Sequence, residues 1–198
     1  MALRIDRITA SDLPAYAAIP TAFTVESVYR VDARDAGLAG LAMVEERVEP
    51  YVKDYDALPD EDDGDDEGVV GWAAAWDVTE WGIFLATDDG QAVGGVAVAV
   101  GAHQHVPTDG LHEGVLYDIR VRPDRRREGI GAGLFAHAAD WARGQGLARL
   151  RIETQNVNVP ACRFYASQGC DLGVIHRYGY RGHPGVGHEA MLLWYLTL

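Results

Sequence analysis

The stretch Val115-Leu-Tyr-Asp-Ile-Arg-Val-Arg-Pro-Asp-Arg-Arg-Arg-Glu-Gly-Ile-Gly-Ala-Gly133 decides how this chain folds. Residues 115–122 read as a strand that Pro123 ends. A turn follows, and residues 129–143 read as a helix closed by Gly144 and Gly146. The first backbone amides of such a helix have no partner within it, and its dipole favours an anion there. Gly129 and Gly131 carry no side chain, so a phosphate can approach the backbone closely. Arg120, Arg122, Arg125, Arg126 and Arg127 reverse the local sign of an acidic chain, as a polyphosphate would select. A plainer account stands beside this one: arginines that offset the acidic loop, and glycines that let the helix pack closely.

Outward from this unit, residues 147–154 read as a strand, 159–168 as a helix, 172–180 as a strand and 190–197 as a terminal strand. Upstream, 81–87 and 92–101 form a hairpin around Asp88-Asp89-Gly90, and 103–114 is a polar loop. Residues 24–33 alternate as a strand, and the β-branched and acidic mix of 41–51 suits a second strand or a short helix, the strand being preferred. Ser11 caps a short helix over 11–19 that Pro20 stops. The strand–helix–strand order implies parallel pairing across a right-handed crossover, hence a mixed α/β sheet with helices on its faces.

A chain of 198 residues is enough for one domain, 1–198. The net charge is −13 and Lys53 is the only lysine, which argues against nucleic-acid binding. That balance suits a cationic substrate, as it does plain solubility or salt adaptation. No apolar run approaches the roughly 20 residues of a membrane span, and the first ten residues lack a secretory apolar core. A cytoplasmic protein without membrane or nucleic-acid partners is expected. Cys162 and Cys170 are expected to be packed and reduced. The acidic block 60–67 lacks the ligand spacing of a calcium loop and is expected to be a solvated loop. His103, His105 and His112 have no matching ligand pair, so no metal is expected.

Which phosphate ligand fits is narrowed by spacing. A P-loop needs Gly-Lys-[Ser/Thr], and no lysine stands here. The glycines fall as Gly129-x-Gly131-x-Gly133 rather than as a dinucleotide fingerprint, although Glu153 lies near the acidic position of one. The residues resemble instead the GCN5-related N-acetyltransferase (GNAT) superfamily. Its [Arg/Gln]-x-x-Gly-x-[Gly/Ala] motif is matched by Arg126, Gly129 and Gly131 after Val121-Arg122-Pro123. A second signature is matched by Asn158-Val-Pro-Ala-Cys-Arg-Phe-Tyr165 and Gly169. Within the superfamily the run 152–165, Gly169-Cys170, 175–178 and 192–195 is most similar to streptothricin acetyltransferases. The resemblance covers residues 81–198, leaving 1–80 as acceptor-side elements around Glu49-Pro-Tyr-Val-Lys-Asp-Tyr55.

The resemblance implies an acyl-CoA N-acyltransferase fold, a mostly antiparallel sheet with one splayed parallel pair and helices on both faces. It implies acetyl-CoA as acyl donor and a small-molecule amine as acceptor, and allows a homodimer. The pantetheine arm would pair with the backbone at Ile119 and Val121, and the pyrophosphate would sit on the amides of Arg126, Arg127, Glu128, Gly129, Ile130, Gly131 and Ala132. Asn158 and Tyr165 would complete the cofactor contacts. Tyr165 would protonate the departing thiolate, the alternative being a core aromatic with a bonded hydroxyl. Asp118 and Glu153 are the candidate general bases, and an ion pair with Arg120 is an equal account of Asp118. Glu80, Asp118, Glu153 and Glu189 are candidate partners for a cationic acceptor, with Trp76 and Trp81 as aromatic walls or core residues. The expected activity is N-acetylation of a streptothricin-like amine. Alternatives are a polyamine, an aminoglycoside or a protein N-terminus, and, in another class, a non-catalytic acyl-CoA sensor.

Overall fold

The structure is a computed structural model that describes residues 3–57, 68–101 and 112–198; the acidic block 60–67, His103 and His105 lie outside them. Its strands are β1 (Arg4–Arg7), β2 (Phe23–Ala33), β3 (Leu41–Lys53), β4 (Gly82–Asp88), β5 (Gln91–Ala99), β6 (Glu113–Val121), β7 (Arg149–Gln155), β8 (Asp171–His176) and β9 (Met191–Thr197). The α-helices are α1 (Leu13–Ala17), α2 (Trp72–Ala75), α3 (Ile130–Gly144) and α4 (Val159–Ser167). The chain divides into two compact units. One takes the described residues 3–21, 68–101, 112–152 and 196–198, the other 22–57 and 153–195.

In the first unit the strands follow the order β1-β4-β5-β6-β7. All neighbours are antiparallel except β6 and β7, which run parallel. β5 is the centre: Val93 to Ala99 are all buried, as a strand covered on both faces requires. Neighbouring residues of a strand point to opposite faces. A Cβ on Gly94 would stand 2.8 Å from Leu134 of α3, and one on Gly95 would stand 2.4 Å from the Tyr16 ring of α1. The two helices therefore cover opposite faces, and glycine is the residue that lets both approach. β1 escaped the sequence reading because charged residues fill three of its four positions. The helix expected over 11–19 is shorter: Thr9 and Asp12 form a capping box around a 3-10 turn, and α1 begins at Leu13.

A bulge sets the shape of β6. Ala97 and Val98 of β5 pair with Asp118 and Leu116, so Tyr117 is an extra residue of β6 at that step. The parallel register with β7 starts at Glu113↔Arg149, where buried Glu113 binds Arg149 and Arg151. It ends at Leu116↔Ile152, beside the bulge. α3 follows with an apolar stripe at Ile130, Leu134, Phe135, Ala138, Ala139 and Ala142, the spacing of a helix packed on one side.

In the second unit β2 pairs antiparallel with β3, and β8 with β9. Asn156 joins elements of this unit. Its backbone carbonyl accepts from Tyr29, its Nδ2 donates to the Tyr29 carbonyl at 2.8 Å, and its Oδ1 accepts from Ala190 at 2.7 Å. The strand expected over 172–180 stops at His176, because hydrogen-bonded turns replace it from Arg177 onward. The mixed, mostly antiparallel α/β architecture with one parallel pair and helices on both faces is the one the sequence led us to expect.

Candidate active site

The turn before α3 has the backbone an anion needs. Gly129 is the N-cap with φ +86°, a left-handed conformation, and offers no side-chain cap. The ring of α3 closes first at Gly133 N–H to Gly129 C=O, 3.0 Å. The amides of Ile130, Gly131 and Ala132 precede that bond and have no carbonyl within the helix to bind. A Cβ on Gly129 would meet nothing within 4 Å, so the space beside the cap residue is open.

The arginines around the turn behave differently from the expectation of a free positive cluster. Arg122 is paired with Asp124 at 2.8 Å, and Arg125 with Asp88 at 3.0 Å and Glu128 at 2.8 Å. Arg126 folds inward: its Nε donates to the Val121 carbonyl at 3.1 Å, and burial lowers its pKa. Arg126 thus braces the turn. Arg127 is exposed with φ +71°. The binding signal of this segment is backbone geometry more than side-chain charge.

β6 presents the second feature. The Arg122 amide donates to Val93 of β5, so strand alternation turns the amides and carbonyls of Ile119 and Val121 away from β5. The register with β7 has ended by then. This is a strand edge on which an extended ligand could add hydrogen bonds, at the amide and carbonyl of Ile119 and the amide of Val121, whose carbonyl is taken by Arg126.

Asp118 is a strut. Its carboxylate accepts from Tyr16 Oη at 2.8 Å, Arg120 Nε at 3.0 Å and Arg120 Nη2 at 2.7 Å. Arg120 also binds the Ile19 carbonyl at 3.0 Å, which ties α1 to β6. Burial, and then the Asp118 charge, pushes the Tyr16 phenol well up, so it stays a donor. Trp81 is a correction too: it is 2% exposed, in the core with Trp72, and not an accessible wall. The exposed member of that aromatic group is Tyr117, at the bulge, with ring centroids 5.3 Å from Trp72 and 5.0 Å from Trp81. Glu80 lies exposed immediately before Trp81. Tyr117 was not foreseen, because nothing in a sequence announces a bulge.

In the second unit Asn158 caps α4 from outside the helix, with its Oδ1 on the Ala161 amide at 3.1 Å. Its Nδ2 donates to Tyr55 Oη at 3.1 Å, and Tyr55 donates to Gln155 at 2.6 Å. Burial raises the Tyr55 phenol, so it too remains protonated. Tyr165 lies on α4, 5% exposed, with its ring 6.5 Å from that of Trp194. Glu153 is exposed on β7 and accepts from Tyr180 Oη at 2.8 Å. Glu189 is corrected from an acceptor-facing carboxylate: it is buried and bound by Lys53 at 2.5 and 2.6 Å. A charge so buried is satisfied by its partner and is not open to a ligand. The lone lysine of the chain was the signal that this position is special. Burial raises the Cys162 thiol to about 12 and that of Cys170 to about 11, and both are free and inert. Among the described residues no group of three His, Cys, Asp or Glu side chains could hold a metal.

This chain resembles known proteins over most of its length. The profile of the acetyltransferase (GNAT) family matches residues 41–170. A streptothricin acetyltransferase of Streptomyces lavendulae is 30% identical over 182 residues, covering 92% of this chain and 88% of that protein. The crystal structure of a nourseothricin acetyltransferase matches with a TM-score of 0.75 at 26% identity, over 100% of this chain and 99% of the other. A Bacillus anthracis structure in complex with acetyl coenzyme A shares the fold, with a TM-score of 0.76 at 23% identity over 100% of both chains.

Proposed function

This chain belongs to the acetyltransferase (GNAT) family, and on that premise we propose that it acetylates a primary amine of a streptothricin-like antibiotic. It is an acetyl-CoA-dependent N-acetyltransferase. The acceptor reading rests on one observation: the likeness to a streptothricin acetyltransferase runs over 92% of this chain, acceptor-side elements included. Loss of a charged amine would disarm such a drug, so the physiological role is antibiotic resistance in the cytoplasm. We read residues 1–198 as one catalytic domain, with a homodimer as its allowed assembly.

The residues divide the work by chemistry. The amides of the turn from Arg126 to Ala132 hold the pyrophosphate, and the backbone of Ile119 and Val121 aligns the pantetheine arm. Glu153 takes a proton from the acceptor ammonium, and the freed amine attacks the thioester carbonyl. The C–N bond forms and the C–S bond breaks; Tyr165 gives its proton to the departing thiolate and recovers one, through water, from the acylated nitrogen, yielding an amide and a thiol. Glu153 is preferred to Asp118 as base because three donors already engage the Asp118 carboxylate. Tyr117 and Glu80 are the first-unit residues we assign to a cationic acceptor, through ring face and carboxylate.

The test is an acceptor screen that measures free thiol release from acetyl-CoA, with streptothricin beside polyamines, aminoglycosides and N-terminal peptides. Streptothricin is expected to give the highest kcat/KM. A polyamine, aminoglycoside or peptide that exceeds it would replace this acceptor.

A further inference from the structure

We propose that Tyr180 is the positioning residue of Glu153, holding one carboxylate oxygen so that the other meets the acceptor ammonium. The inference rests on Glu153 as the base. Tyr180 Oη donates to Glu153 Oε1 at 2.8 Å, between two residues 27 positions apart. Along β7, Ile152 and Thr154 are buried and Glu153 between them is exposed, so alternation carries its side chain to the other face. A glutamate in that position has three freely rotating side-chain bonds, and a proton acceptor that wanders is a poor base. One fixed donor on Oε1 removes most of that freedom and leaves Oε2 to take the proton.

Tyr180 is built for this. It is 5% exposed, and its own segment is stitched by turns, with the amides of Arg181 and His183 on the carbonyls of Tyr178 and Tyr180. The ring of His183 meets that of Tyr180 edge-on, with centroids 5.8 Å apart. Burial first, and the Glu153 charge second, drive the phenol far above its ordinary range, so it donates at every working pH. The titratable groups that face Tyr180 are Glu153, Tyr55 and His183, and the Gln155 side chain bonds it as well.

In Tyr180→Phe the unheld carboxylate is expected to cost kcat about tenfold, with the KM of the acceptor little changed. Acetyl-CoA affinity, read by calorimetry, is expected to stay within about twofold, which also reports an intact fold. Replacing Tyr180 by 3-fluorotyrosine, which keeps the donor at nearly the same size, is expected to restore kcat to within about twofold. Wild-type kcat in Tyr180→Phe, or a loss that 3-fluorotyrosine shares, overturns the proposal. His183→Gln is expected to leave kcat within about twofold; a loss there as large as that of Tyr180→Phe belongs to the imidazole and overturns it too. Glu153→Gln separates the two readings. If it keeps turnover, the base assignment fails; if it abolishes turnover while Tyr180→Phe keeps the wild-type kcat, only Tyr180 fails.

Discussion

At the scale of single residues, pairing decides what a carboxylate can do. Asp118, Glu153 and Glu189 look alike as candidates in the sequence, yet each has a different environment. Asp118 accepts three hydrogen bonds, Glu189 is buried against Lys53, and Glu153 is exposed with one phenolic donor. Only the last combines access with an unfilled oxygen, which is what a general base needs. The aromatic residues divide in the same way: Trp81 fills the core, Tyr117 is exposed, and Tyr165 sits on α4 within the motif. Tyr165→Phe removes a proton donor and keeps the ring that packs on Trp194. Turnover is expected to fall about 10²-fold, with acetyl-CoA affinity unchanged in calorimetry. Wild-type turnover in that variant would remove Tyr165 from the mechanism.

At the scale of elements, the strand-turn-helix of β6 and α3 is the cofactor anchor we propose, and it offers backbone groups more than free charge. The pairing with β7 ends beside the bulge at Tyr117, and beyond it Ile119 and the Val121 amide turn away from β5. Gly129, at φ +86°, aims the first amides of α3 outward without a side chain in front of them. Gly129→Asp tests this. Aspartate tolerates the left-handed conformation better than most residues and is a good helix cap, so the fold is expected to survive. Its carboxylate then occupies and repels the place of a phosphate, and acetyl-CoA affinity is expected to drop at least about tenfold by calorimetry. Unchanged affinity would separate the turn from the cofactor.

At the scale of the whole molecule, the net charge of −13 favours approach of a cationic acceptor. Raising ionic strength from about 0.02 to 0.5 M shortens the Debye length severalfold, from roughly 20 Å to about 4 Å. The kcat/KM for a polycationic acceptor is then expected to fall about three- to tenfold, through KM, with kcat little changed. A salt-independent KM would assign the acidity to solubility alone.

The sequence by itself determined the order of elements from 81 onward, the mixed sheet, and the strand-turn-helix at Gly129. Those features are local: a strand, a proline, a glycine pair and a cap are written in neighbouring residues. The Asn158–Tyr165 signature and the turn at Gly129 were legible for the same reason. Tertiary structure alone decided which charges remained open. Lys53 reaches Glu189 across 136 positions, Tyr16 reaches Asp118 across 102, and Tyr180 reaches Glu153 across 27. No window of sequence holds both partners of such pairs, and an arginine cluster that looks free in a string can be spent on its neighbours. The turn was legible because backbone geometry follows local sequence. The state of each carboxylate had to wait for the fold, because its partner comes from elsewhere in the chain.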